Sequence, residues 1–212
     1  MGIIEQSLKT AILKRNINYA VHFTKAENLE SIFKHGLLPV QKLNEHEIDY
    51  LWNDELRLDN CPDATCLSIE FPNYKMFYKY RMQDTKTDWV VLGINRSVLW
   101  KKDCAFCFDN AASANVNLTP IEERKGVEAF ELLYKQYPDK PSRDVLNIKK
   151  SYPTSPQAEI LVFDYIKPKD IFGVAFQHKS TKKKYEDCIP HGKEVKVIPD
   201  YFRYRNDYDH WC

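Results

Sequence analysis

The sequence predicts an α+β fold in a single domain over residues 1–212. Segments that alternate apolar and polar residues recur between segments with helical spacing. A strand, a capped helix and a glycine stop follow one another between Ile17 and Leu37, and no internal repeat or low-complexity linker divides the chain.

The elements follow in order. Ile4, Leu8 and Ile12, spaced by four, place a first helix over Ile3 to Leu13. Ile17, Tyr19, Val21 and Phe23 then alternate with Asn18, Ala20, His22 and Thr24, a strand pattern that sets His22 and Thr24 on one face. Thr24-Lys25-Ala26-Glu27 reads as a capping box that opens a helix with Leu29, Ile32 and Phe33 inside. Gly36 falls at the left-handed C-terminal cap of that helix, and Leu37 supplies the apolar contact. Gln41 to Pro62 is polar and irregular, the signature of a long functional loop. Cys66 to Phe71 reads as a strand. Tyr74 to Arg81 interleaves four aromatics with three cations. That run suits a stacking surface for single-stranded nucleic acid, and equally an amphipathic helix with Phe77, Tyr78 and Tyr80 in the core. Trp89 to Ile94 is a further strand, Asn110 to Asn117 a loop of small residues, and Ile121 to Tyr137 a helix. Pro138 to Pro156 is loop-like and carries Lys140, Arg143, Lys149 and Lys150. Strands follow at Ile171 to Phe176 and Val195 to Ile198. Lys182 to Lys184 and Tyr201 to Arg205 are basic patches, the second of them aromatic; charge runs taken alone are ordinarily solvated faces.

The strand that begins after Pro156 carries the most informative residue. The run from Ile160 to Ile166 is apolar, β-branched or aromatic, and period two puts Glu159 on the face of Leu161, Phe163 and Tyr165. Burying a carboxylate costs several kcal/mol unless it is paired or working, so Glu159 is a candidate for chemistry. A strand-end glutamate that reaches solvent or a neighbouring lysine is the ordinary alternative, which the strand alone favours.

Composition narrows the classes. With 31 basic and 30 acidic residues, nucleic-acid binding has to come from a local patch. No apolar run approaches the roughly 20 residues that span a bilayer, and the polar N-terminal stretch lacks a signal-peptide core, so the cytoplasm is the expected compartment. Cys61-x4-Cys66 and Cys104-x2-Cys107 invite a zinc reading. Residues three apart on a strand face opposite ways, however, so no metal is expected and the thiols read as buried and free.

The residues His22-Phe23-Thr24, Asn28-Leu29, Ser31-Ile32, Gly36-Leu37, the region of Arg57, Phe71-Pro72-Asn73-Tyr74-Lys75-Met76-Phe77-Tyr78 and Gln157-Ala158-Glu159 occur in that order. Together they resemble the DarT family, NAD-dependent ADP-ribosyltransferases that modify bases in single-stranded DNA as the toxins of toxin–antitoxin pairs. The likeness runs from about Tyr19 to Tyr204.

It implies an ADP-ribosyltransferase-like fold, central twisted β-sheets flanked by helices, with NAD as substrate. Glu159 would hold the nicotinamide ribose and stabilise the developing cation, and would help take a proton from the acceptor base. His22, Phe23, Thr24, Asn28, Gly36 and Leu37 would line the NAD site, and Arg57 would meet the pyrophosphate or organise the reacting ribose. Arg81 or Arg96 could hold that role instead. Tyr74, Lys75, Arg143, Lys149, Lys150, Gln157 and Arg203 would face the DNA. The absence of a G-x-G-x-x-G run argues against a Rossmann mode for NAD. The implied partners are single-stranded DNA and a macrodomain antitoxin, DarG-like, that removes the ADP-ribose; a monomer away from membranes is expected. An ADP-ribosyltransferase acting on protein or RNA remains open, because Gln-x-Glu also occurs in such enzymes. A non-catalytic single-strand-binding domain and a zinc-stabilised module are the readings from other classes. The modified base, thymine or guanine, is left open.

Overall fold

The computed structural model describes residues 2–48, 50–51 and 60–211. In chain order its main elements are α1 (Ile3–Lys14), β1 (Tyr19–Lys25), α2 (Leu29–His35), α3 (Val40–Glu45), β2 (Thr65–Ile69), α4 (Tyr74–Gln83), β3 (Trp89–Asn95), α5 (Val98–Lys101), β4 (Cys104–Cys107), α6 (Ala114–Asn117), α7 (Gly126–Leu132), β5 (Glu159–Val162), β6 (Ile171–Phe176), α8 (Lys179–Tyr185) and β7 (Glu194–Val197). The strands form one seven-stranded sheet in the order β4-β5-β2-β1-β3-β6-β7. All neighbours run antiparallel except the parallel pair β6 and β7.

Alternation along β3 divides the core. Val90, Leu92 and Ile94 pack with Ile12, Leu29, Leu99 and Phe130 on one side of the sheet. Trp89 and Val91 pack with Phe77 and Phe202 on the other. The helix alternative for the run at Tyr74 is the one formed: Tyr74 and Phe77 are buried, and Tyr78 is exposed.

One joint in the sheet opens a gap between neighbouring strands. β1 pairs with β3 along its whole length, from Tyr19↔Asn95 to Lys25↔Trp89. It meets β2 only at Ala20↔Ile69 and Val21↔Ser68. From His22 onward the two strands part, β1 staying with β3 while Thr65 to Leu67 stay with β5. The sheet therefore splits, and the gap is lined by the half of β1 that carries His22 and Thr24.

Several local expectations are corrected. Gln41 to Pro62 is not irregular throughout, since α3 runs to Glu45, and the loop expected over Asn110 to Asn117 closes into α6. The capping box does not form; a 3-10 turn at Ala26–Asn28 leads into α2, and the Thr24 hydroxyl accepts from Asn28 Nδ2 at 3.0 Å instead of from a backbone N–H. The helix expected over Ile121 to Tyr137 is broken by Gly126 at φ +82, into a 3-10 turn at Ile121–Arg124 and α7. The strand expected over Ile160 to Ile166 ends at Val162, and Ile166 instead bridges Leu37.

That bridge explains the glycine before it. Gly36 has φ +85, and a Cβ there would stand 2.2 Å from Tyr165 Cε2 and 2.5 Å from the Ile166 carbonyl oxygen. With ψ −176 this is a region essentially confined to glycine, and a residue with a Cβ held there costs about 1–3 kcal/mol before any clash. Gly36→Ala is thus expected to lower Tm by about 4 °C or more at roughly 2–4 °C per kcal/mol. Calorimetry reads it, and an unchanged Tm would mean that the turn relaxes freely.

Candidate active site

A cleft with about 1180 Å³ of open space occupies the split, bounded by β1, β2, α2, α3 and α4. His22, Phe23, Thr24, Asn28, Gly36, Leu37 and Glu159 all line it. Arg57, expected beside them, lies outside the described residues.

Glu159 opens β5 opposite Cys107 of β4 and is 4% exposed. Its Oε2 accepts from the Ala111 backbone N–H at 2.8 Å, and its Oε1 from Asn73 Nδ2 at 3.3 Å. Neutral donors of this kind stabilise the ionised carboxylate without replacing its charge. Asn73 is itself held in place. Its backbone N–H donates to Ser68 Oγ at 3.2 Å, and its Oδ1 accepts from the Met76 N–H at 3.3 Å as the N-cap of α4. The amide can therefore turn only its NH₂ group towards Glu159.

Across the gap, His22 Nδ1 stands 2.8 Å from the Cys66 carbonyl oxygen. A carbonyl only accepts, so Nδ1 carries a proton. This contact ties the diverging strands together at the point where their backbone pairing has stopped. Asn28 makes a second tie. Its Nδ2 donates to Thr24 Oγ1 at 3.0 Å and to the Leu51 carbonyl at 2.9 Å, while its Oδ1 accepts from the Leu51 N–H at 2.8 Å. Leu51 is thereby fixed at the cleft, and Tyr50 and Leu51 both line its wall.

The residues expected to face DNA divide. Gln157 stands beside the glutamate's strand, its Nε2 3.4 Å from Asp109 Oδ1, which also accepts from Ser155 Oγ at 3.0 Å. Lys149, Lys150 and Arg203 are exposed. Arg143 is used internally: its guanidinium donates to Thr154 Oγ1 at 2.8 Å and to the Tyr152 and Lys149 carbonyls at 2.8 Å and 3.2 Å, which knits the loop rather than offering a cation to solvent. Tyr74 is buried, and Lys75 donates to the Trp211 carbonyl. Arg81 and Arg96 donate to the Phe202 and Ile17 carbonyls, at 2.6 Å and 2.9 Å.

Asn73, Ala111 and Asp109 were not singled out from the sequence. The one available signal was Pro72-Asn73 ahead of a helical run, an N-cap pattern. Among the described residues no group of His, Cys, Asp and Glu is placed to hold a metal. Burial pushes the Cys107 thiol up to about 12 and the Cys104 thiol higher still, so both stay protonated at neutral pH. No helix is long and apolar enough to cross a membrane among the described residues.

The profile of the DarT family, described as ssDNA thymidine ADP-ribosyltransferase, matches residues 21–203. No match to the chain is found among curated proteins. Of the solved structures, Thermosipho africanus DarTG in complex with ADP-ribose aligns at a TM-score of 0.65 with 16% identity, over 89% of this chain and 52% of that one. The chain thus spans about half the length of that relative. Thermus sp. 2.9 DarT in complex with ADP-ribosylated ssDNA aligns at 0.59 with 14% identity, over 89% of this chain and 97% of that one. The same protein in complex with carba-NAD+ aligns at 0.56 with 15% identity, over 88% and 98%. These likenesses bear on the fold, which is that of the DarT structures.

Proposed function

The chain belongs to the DarT family, the ssDNA thymidine ADP-ribosyltransferases, and from that premise we propose that it transfers ADP-ribose from NAD to thymidine in single-stranded DNA. The observation that carries the reading is a nearly buried carboxylate, Glu159, that accepts from the Asn73 amide and the Ala111 N–H in the wall of a cleft that opens where the sheet splits. The Thermus relative's complexes with NAD+ and with ADP-ribosylated ssDNA supply donor and product for the same fold.

In this reading NAD lies along the split, with its nicotinamide ribose between Glu159 and the β1 residues His22 and Thr24. The bond from ribose C1′ to nicotinamide breaks, and its electron pair leaves with the neutral nicotinamide. Positive charge grows on C1′ and the ring oxygen, and the Glu159 carboxylate stabilises it in a site that excludes most water. Thymidine has a single N–H, at N3. Its nitrogen forms the new bond to C1′ while the proton passes to Glu159, and solvent later takes that proton away. Arg57 keeps the role of a pyrophosphate or ribose contact. The chain would act as a toxin in the cytoplasm, countered by a macrodomain partner that removes the ADP-ribose. The domain would comprise residues 1–212 and work as a monomer.

The test is intact-mass spectrometry of single-stranded oligonucleotides with and without thymidine, incubated with protein and NAD. One ADP-ribose added only to thymidine-containing strands is the expected result. An adduct on strands without thymidine would move the acceptor to another base. NAD consumption without any DNA adduct would move it to protein or RNA, and neither would leave a binding domain. The three exposed cations Lys149, Lys150 and Arg203 also set a salt response. At about 0.7 counterions per phosphate on a single strand, log affinity should fall against log salt with a slope of about −2. A flat response, read by fluorescence anisotropy, would remove these residues from the DNA path.

A further inference from the structure

The C-terminal segment folds back onto the loop that leads to Glu159. Arg205 and Asp207 form a forked ion pair, Nε to Oδ1 and Nη2 to Oδ2, both at 2.6 Å, with side chains 5% and 0% exposed. The same guanidinium donates from Nη1 to the Pro153 carbonyl at 2.9 Å and from Nη2 to the Thr154 carbonyl at 2.7 Å. Asp207 Oδ2 also accepts from the Trp211 indole N–H at 2.8 Å. Trp211 in turn accepts through its carbonyl from Lys75, two residues after the Asn73 that donates to Glu159.

A buried ion pair is weak evidence for stability, because desolvation offsets most of its attraction. What a planar guanidinium supplies is direction, since its fork fixes two acceptors at set positions. Here the acceptors are consecutive carbonyls of a stretch, residues 149–158, that belongs to no helix or strand. Backbone bonds from the Tyr152, Thr154 and Ala158 N–H groups shape it only at single points, and side-chain bonds such as those of Arg143, Arg205 and Asp109 add to them.

We propose that the Arg205–Asp207 pair is a positioning clamp for the DNA acceptor: it sets the loop that presents Gln157 beside Glu159, and so fixes where the base stands relative to the NAD ribose. This rests on the ADP-ribosyl-transfer reading. The NAD side of the cleft is separate from the clamp. His22 and Asn28 are tied to Cys66, Thr24 and Leu51. Glu159 is held by its pairing with β4, by the Ala111 N–H and by Asn73, whose own anchors, Ser68 and Met76, are not part of the clamp. Loosening the clamp therefore disturbs the acceptor and spares the donor.

Arg205→Lys keeps a cation opposite Asp207 but cannot fork to two carbonyls, and Trp211→Phe removes only the indole bond. NAD affinity is measured by calorimetry, and transfer is measured at saturating NAD across oligonucleotide concentrations. A displacement near 1 Å can cost about 100-fold, so kcat/KM for the oligonucleotide is expected to fall at least about tenfold in Arg205→Lys. One lost hydrogen bond gives a fall of about threefold in Trp211→Phe. NAD affinity should stay within about twofold of wild type in both, the signature of a lost acceptor contact. Transfer unchanged, or NAD affinity falling in step with transfer, overturns the clamp. Should Arg205→Lys not fold, the same two readings of Trp211→Phe decide. A wild type that binds NAD and modifies no oligonucleotide overturns the transfer reading itself, and the clamp with it.

Discussion

Replacing Glu159 with glutamine is expected to lower transfer by about 10²–10³-fold, the size of effect seen when one preorganised electrostatic contact is removed from a transition state. The substitution keeps volume and shape, so the β4–β5 pairing at Cys107↔Glu159 and the packing of the strand should persist. Two things change. On the proposed mechanism, the negative charge that offsets the forming cation at C1′ is lost, along with the base that accepts the thymidine proton. The neighbourhood also resists the new amide. The Ala111 N–H at 2.8 Å can still donate to the glutamine oxygen, but that turns the new NH₂ group towards Asn73 Nδ2. Asn73 cannot rotate to offer its oxygen, because its Oδ1 already caps α4 through Met76. Two donors then face one another in a buried site, which adds about 1–3 kcal/mol of unmet bonding. NAD affinity should change far less than kcat, since the charge matters most once the bond to nicotinamide has begun to break. Single-turnover kinetics beside a thermal scan checks both. A variant that keeps more than about a tenth of the wild-type rate would take Glu159 out of the chemistry.

The parts of this site that were legible in the sequence are those that depend on one residue and its immediate neighbours. Period two put His22 and Thr24 on one face of β1, and both line the cleft. An acid at the mouth of an apolar strand made Glu159 a candidate, although the strand alone favoured a solvent-reaching side chain, and the residue is buried in the cleft wall. Gly36 announced a turn, and its positive-φ backbone against Tyr165 and Ile166 is the physical demand behind it. What was not legible depends on partners distant in the chain. Thr24-x-x-Glu27 has the letters of a capping box, yet a side-chain amide four residues along takes the Thr24 hydroxyl. The cations before Gln157 look alike as letters, whereas Arg143 turns inward to carbonyls and Lys150 is exposed. Asn73 and the Ala111 backbone, which donate to Glu159, lie 86 and 48 residues away. The split itself is an absence of pairing between β1 and β2 beyond Val21, and no local pattern encodes where two strands part.

Asn28→Asp separates chemistry from shape on the NAD side. The native amide acts on Leu51 as a neighbouring strand would, accepting from its N–H at 2.8 Å and donating to its carbonyl at 2.9 Å, with a further bond to Thr24 at 3.0 Å. Asn28→Ala removes all three bonds and releases the segment at Tyr50 and Leu51 from the cleft wall. At about 1 kcal/mol for each of the two bonds that hold Leu51, the KM for NAD should rise roughly 30-fold while kcat falls less. Aspartate nearly preserves volume and still accepts from the Leu51 N–H. It cannot donate to the Leu51 carbonyl, however, and two acceptors would then face one another. It also places a negative charge beside the cleft in which the proposed function seats the diphosphate of NAD. The expected order of NAD affinity is therefore wild type first, with Asn28→Asp no better than Asn28→Ala despite its closer shape. An aspartate variant that binds NAD within about twofold of wild type would show that the space filled by residue 28 matters and its N–H donors do not. In that case the tether between Asn28 and Leu51 would lose its part in forming the site.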